Sequence, residues 1–133
     1  MTVILPADLE REIRTLMGWG RTNQVTSEVV QPKSIEQLKD LIRDSSPYSL
    51  IARGMGRSYG DAALLTKGKV IELTGFDRIN LDSQKRTITA GAGVSLDQIL
   101  RLIVPAGFFL PVTPGTRNVT VGGAIAADVH GKN

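Results

Sequence analysis

The sequence predicts a mixed protein of short strands and helices, α/β or α+β in class, and three observations carry that expectation. Residues 69–73 form a nearly continuous apolar run of strand length, as expected of a strand buried on both faces. Ser34 with Gln37, and Ser95 with Gln98, each place a hydroxyl three residues ahead of a glutamine and before helically spaced apolar residues, the pattern of a capping box. Two short runs, 78–81 and 86–90, flank Asp82-Ser83-Gln84-Lys85, whose polar turn chemistry predicts a hairpin.

Taken in order, residues 6–17 carry Leu9, Ile13, Leu16 and Met17 at helical spacing, and Pro6 stands where a first helical turn tolerates it, so a helix is expected there. Gly18 ends it, and Trp19-Gly20-Arg21-Thr22 follows as a loop. A short strand over 28–31 is closed by Pro32. The helix opened by Ser34 turns Ile35, Leu38, Leu41 and Ile42 to one side. Residues 49–53 make a strand that feeds a glycine-rich loop. Beyond the hairpin, Gly91-Ala92-Gly93 leads into the Ser95-capped helix, expected to reach about Val104. Residues 108–112 are apolar and aromatic, and Pro114-Gly115-Thr116 turns the chain. Residues 115–133 are dense in glycine and small side chains and stop without a terminating turn or charged tail. Such a stretch lets a backbone pack against a flat ligand or a neighbouring element. The chain is therefore expected to be a fragment of a longer protein.

Composition narrows the chemistry. With 41% hydrophobic and 22% charged residues over 133 positions, the chain is that of an ordinary globular domain. Its net charge of +3 is mild and its basic residues are scattered, so nucleic acid is not an expected partner. The absence of cysteine excludes disulfides, thiolate metal sites and a Cys nucleophile. With His130 the only histidine, no multi-histidine metal site can form, and no metal is expected. Neither a signal peptide nor a transmembrane run is present, so a cytoplasmic location is expected, with peripheral membrane association left open.

The chemistry concentrates at Arg53-Gly54-Met55-Gly56-Arg57-Ser58-Tyr59-Gly60-Asp61. Three glycines in seven residues let backbone N–H groups approach a ligand closely. Two arginines and the hydroxyls of Ser58 and Tyr59 favour an anion, most economically a phosphate. The dinucleotide fingerprint of a Rossmann fold does not fit, because Tyr59 stands at the third glycine position and too few residues precede the next strand for a crossover helix. No Gly-x-x-x-x-Gly-Lys-Ser/Thr occurs, so a P-loop is absent.

The loop, together with Trp19-Gly-Arg-Thr22, Gly91-x-Gly93 and Pro114-Gly-Thr-Arg-x-Val-Thr-Val-Gly-Gly-Ala-Ile-Ala-x-Asp-x-His-Gly-Lys-Asn133, resembles the FAD-binding domain of the vanillyl-alcohol oxidase and p-cresol methylhydroxylase family, from about Trp19 onward. The resemblance implies an α+β, two-lobed, PCMH-type FAD domain, with a small mixed or parallel sheet flanked by helices and the dinucleotide between lobes. Residues 1–113 would be the first lobe and 114–133 the start of the second. The cofactor would be FAD, held by Arg53, Gly54, Met55, Gly56, Arg57, Ser58, Tyr59 and Gly60, and by Pro114, Gly115, Thr116, Val119, Thr120, Gly122, Gly123 and Ala124. Backbone N–H groups of both segments would hold its pyrophosphate and adenosine side, while Asp128, His130, Gly131 and Asn133 would lie near the flavin.

The activity implied is oxidation of a sugar hydroxyl to a ketone by hydride transfer to the flavin, with the 2′ carbon of a lipid-linked ribose as the candidate position. Lys132 would orient or deprotonate that hydroxyl, with His130 the second candidate for a chemical role. Arg57 stands where many members carry the histidine that bonds covalently to the flavin, so the FAD is expected to be non-covalent. A sugar-lactone or alditol oxidase of the same fold is an alternative, as is a non-catalytic nucleotide-binding module. By itself this stretch is expected to be inactive. Residues 115–133 are expected to be poorly ordered or to associate with another copy.

Overall fold

The computed structural model describes residues 9–131. It is a mixed α+β structure in two compact units, Met1–Gly75 and Phe76–Asn133. In the first unit, β1 (Glu10–Met17), β2 (Gln24–Gln31), β4 (Lys69–Glu72) and β3 (Leu50–Arg53) lie side by side in that order. β1 runs antiparallel to β2, and β2, β4 and β3 are mutually parallel. Helix α1 (Ile35–Arg43) connects β2 to β3.

Alternation along the strands sends neighbouring residues to opposite faces. Val30 and Ile71 pack with Leu9 and Leu41 on one face, where Leu41 of α1 is fully buried. Val29 and Val70 pack with Leu16 and Leu64 on the other, where the loop after β3 forms the cover. β4 is thus buried on both sides, as its apolar run predicts. Ser34 caps α1, its side chain accepting from Gln37 N, while Gln37 Oε1 accepts from Lys33 N at 2.7 Å.

Where a helix is expected over 6–17, residues 10–17 are instead strand β1; residues 6–8 lie outside the described residues. β1 pairs residue for residue with β2, from Glu10↔Gln31 to Met17↔Gln24. A helix would have placed Ile13 on its apolar side, but in the strand Leu16 is buried while Ile13 is 72% exposed. The outer edge of β2 presents a row of N–H and C=O groups that need partners, and a charged edge strand satisfies them. This long-range demand outweighs the local helical spacing. β2 itself begins at Gln24, four residues before the expected start, because β1 extends the pairing through Thr15↔Thr26.

In the second unit, β5 (Ile79–Asp82) and β6 (Thr87–Ala90) form the expected hairpin, and Lys85 N donates to Asp82 Oδ1 at 3.0 Å in its turn. Helix α2 (Leu96–Ile103) starts with a full capping box between Ser95 and Gln98. Its buried residues Leu96, Ile99 and Ile103 join Val94 in a core closed by the hairpin and by Phe108, Leu110, Val119 and Val121. The stretch expected to be poorly ordered carries a short helix, α3 (Val121–Ala126), tied to its own unit. Leu96 N donates to Val119 O at 3.0 Å and Val121 N to Val94 O at 2.8 Å.

Candidate functional site

The loop after β3 is clamped through its carbonyls. Trp19 N donates to Ser58 O at 2.7 Å and Gly20 N to Tyr59 O at 3.3 Å. Gly18 lies so close beneath that a Cβ there would overlap Gly60 O. Arg57 donates from Nη1 to Met55 O at 2.7 Å, and its guanidinium carbon stands 4.5 Å from the Trp19 ring centroid, a cation–π stack. Arg53 reaches under the loop, donating from Nη1 to Ala63 O at 3.1 Å and from Nη2 to Met17 O at 2.9 Å.

The donors of the same loop are left over. Among the described residues, no backbone N–H from Gly54 through Gly60 donates to a protein acceptor. Gly56 sits at φ +65°, a conformation glycine adopts without cost. Nothing lies within 4 Å of where a Cβ on Gly60 would stand. Uncommitted N–H groups in an open, glycine-lined turn are the kind of donor an anion takes, so the residues present fit a phosphate-bearing cofactor.

Beside the loop lies a polar cluster on one sheet face. Glu72 accepts from Arg14 Nη2 at 2.8 Å and from Gln31 Nε2 at 2.9 Å. Burial lowers the Arg53 pKa from its ordinary value and Arg14 adds to that, while the Glu72 carboxylate opposes both. Glu72 thus offsets part of the cost of sinking the Arg53 charge beneath the loop.

In the second unit, the N–H groups of Val121, Gly122 and Gly123 are already used. They donate to Val94 O, Ala92 O and the Thr120 hydroxyl at 2.8, 2.9 and 3.1 Å. Gly122 is small because Ala92 lies against it, 3.1 Å from where a Cβ would stand. The uncommitted donors are earlier, at Gly115, Thr116 and Arg117, whereas Asn118 N donates to the Thr116 hydroxyl at 3.1 Å. These residues rim an open cleft of about 420 Å³ floored by Leu96, Leu100 and Phe109, with Pro114 at its edge. Asp97 pins the rim, accepting from Arg117 at 2.9 Å and from Arg101 at 2.7 Å.

Asp128 sits at φ +49°, and its carbonyl oxygen is 2.7 Å from His130 Nδ1. A carbonyl only accepts, so Nδ1 carries a proton in this contact. Gly131, at φ +73°, packs its backbone against Val112 and Thr113. Lys132 and Asn133 lie outside the described residues. Among the described residues no group of three or more His, Asp or Glu side chains could hold a metal, and no helix is long and apolar enough to cross a membrane.

In the sequence Gly18 reads as a helix end and Trp19-Gly-Arg-Thr22 as a loop of the family motif, without showing that Gly18-Trp19-Gly20 clamps the glycine loop. The available signal was two glycines flanking the chain's single tryptophan.

A family model described as FAD binding domain matches residues 26–133. The chain is 45% identical over 124 residues to decaprenylphosphoryl-beta-D-ribose oxidase of Mycolicibacterium smegmatis, covering 90% of this chain and 27% of that protein. It is 26% identical over 128 residues to the mitochondrial L-galactono-1,4-lactone dehydrogenase of Arabidopsis thaliana, covering 94% of this chain and 21% of that one. Among solved structures, cholesterol oxidase from B. sterolicum superposes with a TM-score of 0.82 at 20% identity, over 95% of this chain and 26% of that one, which shows a shared fold. The chain thus spans about a quarter of the length of these relatives.

Proposed function

The chain belongs to the FAD-binding domain family, with FAD as its cofactor, and from that premise we propose that it is the FAD-binding part of an oxidoreductase acting on a sugar hydroxyl. The observation that carries the reading is the row of uncommitted N–H groups from Gly54 through Gly60. These donors cradle the pyrophosphate, with Arg57 held over Trp19 as the nearby positive charge.

When bound, the flavin supplies the hydride acceptor, and the protein supplies orientation and proton handling. His130, with Nδ1 held by the Asp128 carbonyl, presents Nε2 as a proton acceptor. Lys132 orients or deprotonates the substrate hydroxyl. The 45% identical relative is a decaprenylphosphoryl-ribose oxidase, which supports a lipid-linked ribose as the substrate of the whole protein. The lactone dehydrogenase relative favours a second reading, a sugar lactone at the same site.

Dialysis of the chain with FAD tests the first step, with visible flavin absorbance retained by the protein as the expected result. Loss of all colour on dialysis overturns the cofactor assignment for this chain. Acid denaturation of the loaded protein is then expected to release the flavin entirely, because an arginine at position 57 offers no nucleophile for a covalent link. A longer chain that includes the substrate region, assayed with ribosides and with aldonolactones, separates the two substrate readings.

A further inference from the structure

Sequence alone groups Arg53 with the residues that touch a phosphate. In the fold, its guanidinium is turned inward. Its two Nη atoms bridge Met17 O at the end of β1 and Ala63 O on the far limb of the loop. A Cβ on Gly56 would overlap Arg53 Nη2 and stand 2.9 Å from Cζ, so the guanidinium fills the space that a side chain at position 56 would need. Glu72, itself bonded to Arg14 and Gln31, supplies the compensating negative charge.

We propose that Arg53 is a positioning residue that holds the loop with its carbonyls tied and its N–H groups free for the FAD pyrophosphate, and that it does not touch the cofactor itself. The inference rests on the FAD reading above. A planar fork is what the geometry demands, because one side chain must reach two carbonyls on different segments. Lysine carries the same charge but lacks the fork.

Two measurements decide it. Arg53→Lys is expected to weaken FAD binding about tenfold or more, followed by flavin fluorescence, because the loop loses its brace although the charge remains. In Arg53→Met, which removes the charge, the dependence of log Kd on log salt is expected to stay close to wild type, since a group that does not meet the phosphate forms no ion pair with it for salt to screen. Binding by Arg53→Lys within about twofold of wild type would mean that charge alone suffices, and a flattened salt dependence in Arg53→Met would mean a direct phosphate contact; either overturns the proposal.

The second measurement is a double-mutant cycle between Gly56→Ala and Arg53→Met, read by urea unfolding without ligand. The cost of Gly56→Ala is expected to fall sharply once Nη2 is gone, whereas additive costs would show that Arg53 does not pack beneath Gly56. Should Arg53→Met not fold, Arg53→Lys takes its place in the cycle. A wild-type chain that binds no FAD sinks the cofactor reading, and the cycle, needing no ligand, still decides the brace.

Discussion

Replacing Gly18 by alanine should destabilise the chain and loosen the glycine loop, while the same change at Gly60, across the same contact, should leave stability intact. A Cβ on Gly18 would overlap Gly60 O and stand 3.0 Å from Ser58 O and Tyr59 O. All three neighbours are backbone atoms, so no flexible side chain can swing away. The chain must move by roughly 1 Å to restore normal contact distances. Overpacking of that kind costs about 1–3 kcal/mol. The movement also strains the 2.7 Å bond from Trp19 N to Ser58 O, worth about 1 kcal/mol more. A total of about 2–4 kcal/mol would lower the urea midpoint by roughly 1–3 M.

Gly60 is the control, because nothing lies within 4 Å of its would-be Cβ. Gly60→Ala should unfold at or slightly above the wild-type midpoint, with a gain of up to about 0.5–1 kcal/mol from the less flexible unfolded chain. FAD affinity should reverse the order of blame. Gly60→Ala loses affinity without losing stability if the open space belongs to the cofactor, whereas Gly18→Ala loses both. Urea melts of the ligand-free proteins and flavin fluorescence titrations give the two numbers. If Gly18→Ala melts within about 0.5 kcal/mol of wild type, or both variants lose equal stability, the proposed clamp is wrong.

Ile13→Lys should stay within about 0.5 kcal/mol of wild type in urea, because Ile13 is 72% exposed on an edge strand; a helix with its apolar side buried would lose several times that. Leu16→Ala, three residues further along the same strand and on its buried face, should cost about 2–4 kcal/mol in the same assay. Thr120→Val removes the cap that accepts from Gly123 N at 3.1 Å, and should cost about 1 kcal/mol with faster amide exchange across α3. Asp97→Asn should lower stability by about 1 kcal/mol at low salt and by less at high salt, since Asp97 is ion-paired to both Arg101 and Arg117.

Several features were legible because they are local. The Ser34 and Ser95 caps, the hairpin around Asp82 and the double-sided burial of β4 each depend on residues within a few positions of one another. The glycine loop was legible for the same reason, since backbone freedom is written into Gly54, Gly56 and Gly60 themselves. From these, the sequence by itself determined that a strand would deliver a chain of exposed N–H groups, and the order of its motifs determined the flavoprotein family.

Tertiary structure decided which partners the groups in those motifs meet within the fold. Residues 10–17 became a strand because β2 needed a partner along its edge, a demand arising from residues that lie as far away as Gln31. Arg53 turned inward because Met17 O and Ala63 O meet beneath the loop, and neither is a sequence neighbour. Gly122 serves packing against Ala92, and its N–H is spent on the Ala92 carbonyl. A motif records which atoms are available; whether a donor faces a ligand or its own fold depends on where the nearest unsatisfied carbonyl lies, and only long-range packing fixes that.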